Sequence, residues 1–352
     1  MSGDNREMND AVSENCFASI DIGSHTTRLL IAQRHGTELA PVRTERRVTR
    51  LARDFHEDEI TEQAQLGNIS ALKEYKSIID QFHVKGIACG ATGVVRRAKN
   101  SESLIERIIH QTGIECRILS EQTEALLSAK GVLSFLGQTS NDLLIFDVGG
   151  ASTEFLLTGR EISAFSTSRP IGATTLTEKY LKGDPPGLEA VKRSALSARY
   201  EIFSAKEHLY ENLKKNGIVT FFARFQPVGT AGTVTTLAAM FNKMQRYVAY
   251  RVNGIVLSKD WLSDTIKSLA SMSLAYRKLL AGLEPGREDI ILGGAVIVSE
   301  VLSCFGYDSL AVSDAGLLEG LIVELVEKEM AMEGGEISAS LRTALTWRLQ
   351  KE

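Results

Sequence analysis

Short apolar runs and longer stretches of helical periodicity alternate along the chain, which predicts a mixed α/β protein. Phe17 to Ile20 is a strand that ends on Asp21, and after Ile22-Gly23-Ser24-His25-Thr26 a second strand runs from Leu29 to Ala32. Ile69, Leu72, Ile78 and Phe82 mark an amphipathic helix, and Val84 to Ala88 a strand behind it. A helix near Leu104 to His110 and a strand at Cys116 to Leu119 follow. Ser120 and Glu121 are a good N-cap and first-turn acid for the next helix, with Ala125, Leu126, Ala129 and Leu133 as its apolar face.

The first hairpin plan then returns. Leu143-Leu144-Ile145-Phe146 reads as a buried strand ending on Asp147. Val148-Gly149-Gly150-Ala151-Ser152-Thr153-Glu154 makes a turn, and Phe155-Leu156-Leu157 resumes the strand. Two copies of Asp-(Ile/Val)-Gly followed by hydroxyl-bearing residues suggest a duplicated architecture, whose physical sense is two loops gripping one polyanion. Further on come a helix at Thr174 to Tyr180 and a long helix with Val191, Ala195, Ala198, Ile202, Ala205, Leu209 and Leu213 on one seam. The chain closes with an apolar helix from Ile290 to Leu302, a strand at Leu310 to Val312, a helix from Leu317 to Glu329 and a short helix carrying Trp347.

Composition narrows the picture only modestly. At 352 residues, with 43% hydrophobic and 24% charged positions, the chain has the balance of a folded protein of more than one domain. A net charge of −4 argues against a globally basic nucleic-acid binder. Cys16, Cys89, Cys116 and Cys304 are scattered, so neither a zinc site nor a disulfide framework is expected. The polar stretch of residues 1–15 has no apolar core, and no run approaches a membrane span, which together predict a cytoplasmic protein without a membrane partner.

Candidate chemistry sits at the turns. Gly149 and Gly150 allow close backbone approach to a ligand, successive amides there can hold a phosphate, and Asp147 and Glu154 offer the hard oxygens that suit magnesium. A hairpin that merely needs glycine fits the same letters. Thr92, Arg96 and Arg97 follow a strand exit and can hold an anion. Glu124 lies in the first turns after a strand-to-helix handover, where an ordinary solvated glutamate would also fit. Gly229-Thr230-Ala231-Gly232-Thr233 is a third Gly/Thr loop opening a helix, and helix N-termini bind anions. The run Arg43, Arg46, Arg47, Arg50 and Arg53 is either a solvated face or a guide for a polyanion.

Taken in order, Asp21-Ile22-Gly23-Ser24, Ala91-Thr92 with Arg96 and Asn100, Ser120 with Glu124-Ala125, Asp147 to Glu154, Pro170-Ile171-Gly172-Ala173, Gly229 to Thr233 and Ser313-Asp314-Ala315-Gly316-Leu317 resemble the exopolyphosphatase and guanosine pentaphosphate phosphohydrolase family. The likeness runs from about Phe17 to Val326. It implies two actin-like (ribonuclease H-like) α/β domains with mixed β-sheets flanked by helices and an active-site cleft between them, as in the actin, sugar-kinase and heat-shock ATPase superfamily. The expected division is a flexible N-terminus at 1–15, a first domain at 16–130, a second at 131–316, a helix at about 317–330 packing back on the first domain, and a short helical tail at 333–352.

The resemblance also implies roles. Glu124 is the general base that activates water, and Asp147 and Glu154 hold Mg2+. Gly23, Ser24, His25, Thr26, Arg96, Gly149, Gly150, Ser152, Thr153, Gly229, Thr230, Gly232 and Thr233 form the phosphate-binding set. The implied substrate is inorganic polyphosphate, with guanosine pentaphosphate (pppGpp) as the alternative. A non-hydrolytic polyphosphate or nucleotide sensor and a kinase of the same superfamily are the other readings, and a homodimer is among the assemblies the chain could form. Three positions depart from the family's habit. His25 stands where asparagine is usual, Ala151 replaces a third glycine, and Thr123 replaces a carboxylate beside Glu124.

Overall fold

The computed structural model describes residues 15–53, 55–136, 142–159, 165–218, 220–332 and 345–347. The chain divides into two units, residues 1–138 with 315–352, and residues 139–314. In chain order the first unit begins with strands β1 (Cys16–Ile22), β2 (Thr26–His35) and β3 (Glu38–Val48) and helix α1 (Glu62–Gln81). It continues through β4 (Gly86–Ala91), α2 (Val94–Arg97), α3 (Ser101–Thr112), β5 (Cys116–Ile118) and α4 (Glu121–Leu136). The second unit holds β6 (Leu143–Val148), β7 (Thr153–Thr158), β8 (Phe165–Arg169), α5 (Ala173–Tyr180), α6 (Leu188–Lys215), β9 (Gln226–Thr230), α7 (Ala231–Phe241) and α8 (Ala249–Val252). After these come β10 (Val256–Ser258), α9 (Lys259–Ser271), α10 (Leu274–Arg277), α11 (Ile291–Phe305) and β11 (Ser309–Val312). The chain then returns to the first unit with α12 (Leu317–Met332) and β12 (Thr346–Trp347).

Each unit is built on a six-stranded mixed sheet, and the two share a plan. The first has the order β12-β3-β2-β1-β4-β5, the second β10-β11-β9-β6-β7-β8. In both, a three-stranded antiparallel meander (β1-β2-β3, β6-β7-β8) is joined to two parallel strands (β4 and β5, β9 and β11) beside its first strand. The turns correspond as well: the Gly23 amide donates to the Thr26 carbonyl at 3.0 Å, and the Gly149 amide to that of Ser152 at 3.0 Å. The duplication expected from the two Asp-x-Gly turns thus extends over five strands of each sheet; the sixth differs, β12 pairing parallel with β3 and β10 antiparallel with β11.

The first sheet is covered on both faces. Ile20, Ile22, Leu29 and Ile31 pack with Ile69, Leu72, Tyr75, Leu104 and Ile108 of α1 and α3. Phe17, Leu30, Ala32 and Leu39 face Leu318, Ile322, Val323 and Val326 of α12 together with Trp347. Trp347, expected in a helix, lies instead on an edge strand parallel to β3, where its indole donates to the Ser134 hydroxyl at 2.8 Å. The remaining expected tail, and all but the last residue of the stretch 1–15, fall outside the described residues. α12 and α4 touch through backbone: a Cβ on Gly320 would run into the Leu127 carbonyl, and one on Gly131 into that of Gly316. Gly320→Ala is therefore expected to cost about 1–3 kcal/mol by overpacking, read as a lower denaturant midpoint at unchanged slope.

In the second unit α6 buries Ala190, Ser194, Ala198, Ile202, Ala205, Leu209 and Leu213 on one seam, with Val191 and Ala195, expected on it, only half-buried at its edge. α11 is buried on nearly every side, which its almost wholly apolar sequence requires. All four cysteines are free thiols; Cys16 and Cys89 are buried, while Cys116 and Cys304 are only half-buried. Among the described residues no helix is long and apolar enough to cross a membrane.

Candidate active site

In each unit three parallel strands end side by side, and the motif residues cluster just past those ends. Open α/β sheets place ligands at the carboxyl ends of parallel strands, because the loops there are free to diverge while the strands hold their roots. In the first unit these ends belong to β1, β4 and β5, followed by Gly23-Ser24-His25, Thr92-Gly93 and Leu119-Ser120.

The loops of the first unit are bonded to one another. The Ser24 hydroxyl accepts the Val94 amide at 2.8 Å, which ties the first turn to the start of α2. Gly93 between them has φ +55°, and a Cβ there would strike the Ser24 hydroxyl. Two residues on, Arg96 reaches the loop after β5. Its Nη1 donates to the Glu124 carboxylate at 2.7 Å and to the Leu119 carbonyl at 3.0 Å, and its Nη2 lies 3.5 Å from Glu121. Ser120 caps α4, accepting the Thr123 amide at 3.1 Å, and so sets where Glu124 stands. Arg96 and Glu124 are 24% and 33% exposed in their side chains: open to solvent, yet held. Thr26 is half-buried at the start of β2. His25 is exposed, and its carbonyl accepts the Thr49 and Arg50 amides at 3.0 and 2.9 Å, which anchors the backbone and leaves the ring outside.

Asp21 is buried at the end of β1. Its Oδ2 accepts from Arg28 at 2.7 and 3.1 Å, whereas Oδ1 is buried with no hydrogen-bond partner among the described residues. Arg28 stands directly opposite Asp21 in the register. The equivalent place in the second unit is occupied differently. Asp147 faces Glu154 across β6 and β7, so two carboxylates share one face where the first unit has an acid and a base. Thr230 flanks Asp147 on β9, and Ser168 flanks Glu154 on β8 and donates to its Oε1 at 2.9 Å.

This pair fits a magnesium ion and fits a structural metal poorly. Two facing carboxylates supply the hard oxygen donors that magnesium takes beside water and phosphate oxygens. Among the described residues no three His, Cys, Asp or Glu side chains converge as a closed site would require.

The Gly149-Gly150 turn is braced from behind. Its carbonyls accept the Ala173, Thr174 and Thr175 amides at 2.9, 2.9 and 3.2 Å, so the first amides of α5 are spent on the turn and not on an anion. Ser152 is half-buried at the turn's edge. Thr153 is buried, and its hydroxyl donates to the Ile171 carbonyl at 2.5 Å. It holds the turn to the following segment and presents nothing to a ligand. Gly229 and Thr233 are likewise interior: Gly229 sits in β9 with its carbonyl accepting the Ser313 amide at 3.0 Å, and Thr233 is 3% exposed. Thr230 is buried at the N-cap of α7. Of this third loop, Gly232 remains half-buried at the helix N-terminus.

Two features of that loop have no signature in the sequence. Ala231 holds φ +63°, an uncommon state for a residue with a Cβ and one that gathers at functional sites. The guanidinium of Arg287, paired with Glu284, lies against the backbone of Gly232. Arg287 comes from an irregular polar run more than fifty positions later in the sequence, and only the fold brings it to the loop.

The sequence profile of the Ppx/GppA phosphatase family matches residues 30–329. The chain belongs to this family. A Ppx/GppA phosphatase from Aquifex aeolicus, solved as a crystal structure, superposes with a TM-score of 0.78 at 30% identity, covering 88% of this chain and 99% of that one. The exopolyphosphatase 2 of Mycobacterium tuberculosis is 29% identical over 88% of this chain and 98% of its own length. A bifunctional 3-dehydroquinate synthase/phosphatase from Fusobacterium nucleatum is 32% identical over 89% of this chain, which spans about half (47%) of that longer protein. The two mixed sheets with their flanking helices are thus the actin-like units of a Ppx/GppA phosphatase, and the chemistry of such a protein is phosphoanhydride hydrolysis.

Proposed function

We propose that this Ppx/GppA protein is an exopolyphosphatase that releases orthophosphate from the end of inorganic polyphosphate. The observation that carries the reading is the Glu124 carboxylate, placed just beyond the parallel strand ends of the first unit and gripped by Arg96 at 2.7 Å. A carboxylate held in that way can orient a water molecule and take its proton as the water oxygen attacks the terminal phosphorus. The bridging P–O bond breaks. One water is consumed, and the products are orthophosphate and a chain shorter by one phosphate. Arg96 then acts first as the group that aims Glu124.

The backbone amides of Ser24, Gly150 and Gly232 are the phosphate contacts we assign, together with the side chains of Ser24, Thr26 and Ser152; the Gly23 and Gly149 amides close their own turns. Asp147 and Glu154 would hold magnesium, with Ser168 orienting Glu154. When bound there, magnesium neutralises charge on phosphate oxygens.

The test is phosphate release from long-chain polyphosphate and, separately, from pppGpp. Release from polyphosphate at the higher kcat/KM is the expected result, and release from pppGpp alone would replace the substrate. Tight polyphosphate binding without any release would make the protein a sensor.

A further inference from the structure

Helix α6 has two apolar faces, and only one is used inside the molecule. Opposite its buried seam runs a second stripe at heptad spacing: Glu189, Arg193, Leu196, Tyr200, Phe203, Glu207, Tyr210 and Lys214, every one exposed. Leu196, Tyr200, Phe203 and Tyr210 are 64%, 74%, 55% and 48% exposed, and Phe221 beside the end of the stripe is 82% exposed. Heptad spacing on an exposed helix face is the arrangement that packs against a second helix. None of these residues belongs to the phosphate site.

We infer that this face is the contact between two copies of the chain, with the α6 helices packed antiparallel about a two-fold axis. The order of charges along the stripe selects the occupant and the direction. It reads acidic, basic, three apolar residues, acidic, aromatic, basic. An antiparallel copy centred between Tyr200 and Phe203 sets Tyr200 of each chain on Phe203 of the other. It also brings Glu189 opposite Lys214 and Arg193 beside Glu207 and Tyr210, so every charge meets its opposite or an aromatic ring. A parallel copy would set like on like at all four charged positions, which opposes that pairing. In the single chain Glu189 bonds Lys192 at 2.7 Å, an exposed pair that the second copy's Lys214 would join.

The shape at the end of the stripe agrees. Lys206, Glu207, Tyr210, Phe221, Phe222 and Phe305 line a cavity of about 370 Å³. Lys206 closes its floor, donating to the Cys304 carbonyl at 2.7 Å and lying over the Phe222 and Phe305 rings. Glu207 and the two exposed rings are left to face outward, and an antiparallel copy presents Arg193 there, the side chain suited to a carboxylate beside aromatic faces. At roughly 150–250 Å² per aromatic side chain the exposed apolar area is on the order of 600 Å² per copy. With the flanking charged residues it approaches the about 800 Å² per partner of a standard interface.

Sedimentation equilibrium of the full chain tests this. The wild type is expected to be a dimer and Tyr200→Glu a monomer. Arg193→Glu should weaken the dimer by about tenfold or more, and Arg193→Glu combined with Glu207→Arg should restore it. The restoration shows that loss of the dimer in the single variant does not come from misfolding. A wild type that stays monomeric up to about 100 μM, where even a weak interface registers, overturns the proposal. So does a dimer indifferent to Tyr200→Glu, and so does a double reversal that fails to recover association.

Discussion

Replacing Glu124 by glutamine is expected to lower kcat for phosphate release by about 10²–10⁴-fold while leaving KM close to its starting value. The amide keeps the volume and one oxygen but cannot accept the water's proton. It also exchanges the ion pair with Arg96 for a bond from the guanidinium to an uncharged acceptor, which is weaker. Arg96→Lys should therefore lower turnover too, since lysine keeps the charge but lacks the rigid planar guanidinium whose Nη1 engages Glu124 and the Leu119 carbonyl while Nη2 lies beside Glu121. Phosphate release followed by a coupled colorimetric assay, with binding measured separately by calorimetry on the inactive variant, reads both quantities. A Glu124→Gln protein with unchanged turnover would remove the carboxylate from the reaction and leave the Arg96 pair as a structural latch.

The second large effect is expected at Asp147. Asp147→Asn should move the magnesium activation curve to at least tenfold higher concentration, with activity at saturating metal partly recovered, because one of two facing carboxylates is lost and Glu154 remains. Asp21 offers the contrast. Its Oδ2 already accepts from Arg28, so Asp21→Asn should leave the half-activating magnesium concentration near its original value even if kcat falls. A magnesium titration of the two variants, side by side, separates a metal ligand from a charged neighbour of the site. An unchanged curve for Asp147→Asn would count against the assignment.

The elements and their order were legible in the chain because strand and helix periodicity, turn glycines and N-caps are local properties. The first hairpin, its repeat at Asp147, the seam of α6 and the Ser120 cap are read from residues a few positions apart, and the structure contains them all. β3 was less legible: its polar, arginine-rich sequence lacks alternation, and it is a strand because β2 and β12 pair with it on either side. Trp347 lies on a strand and not on the expected helix for a related reason, since a two-residue edge strand carries no period and exists only where another strand receives it.

The candidate site divides along the same line. By itself the sequence determined the two Asp-x-Gly turns and the placing of the motifs at strand and helix ends, all matters of backbone conformation over a few residues, whereas the role given to Glu124 rests on the family resemblance. Tertiary structure decided which motif side chains are buried and which stay accessible. It turned Thr153, Gly229 and Thr233 inward, spent the first amides of α5 on the Gly149-Gly150 turn, set Arg96 against Glu124 and carried Arg287 onto Gly232. Those outcomes depend on strand register and on packing between segments tens of residues apart, and no spacing along the chain encodes the direction a side chain takes once its neighbours close around it.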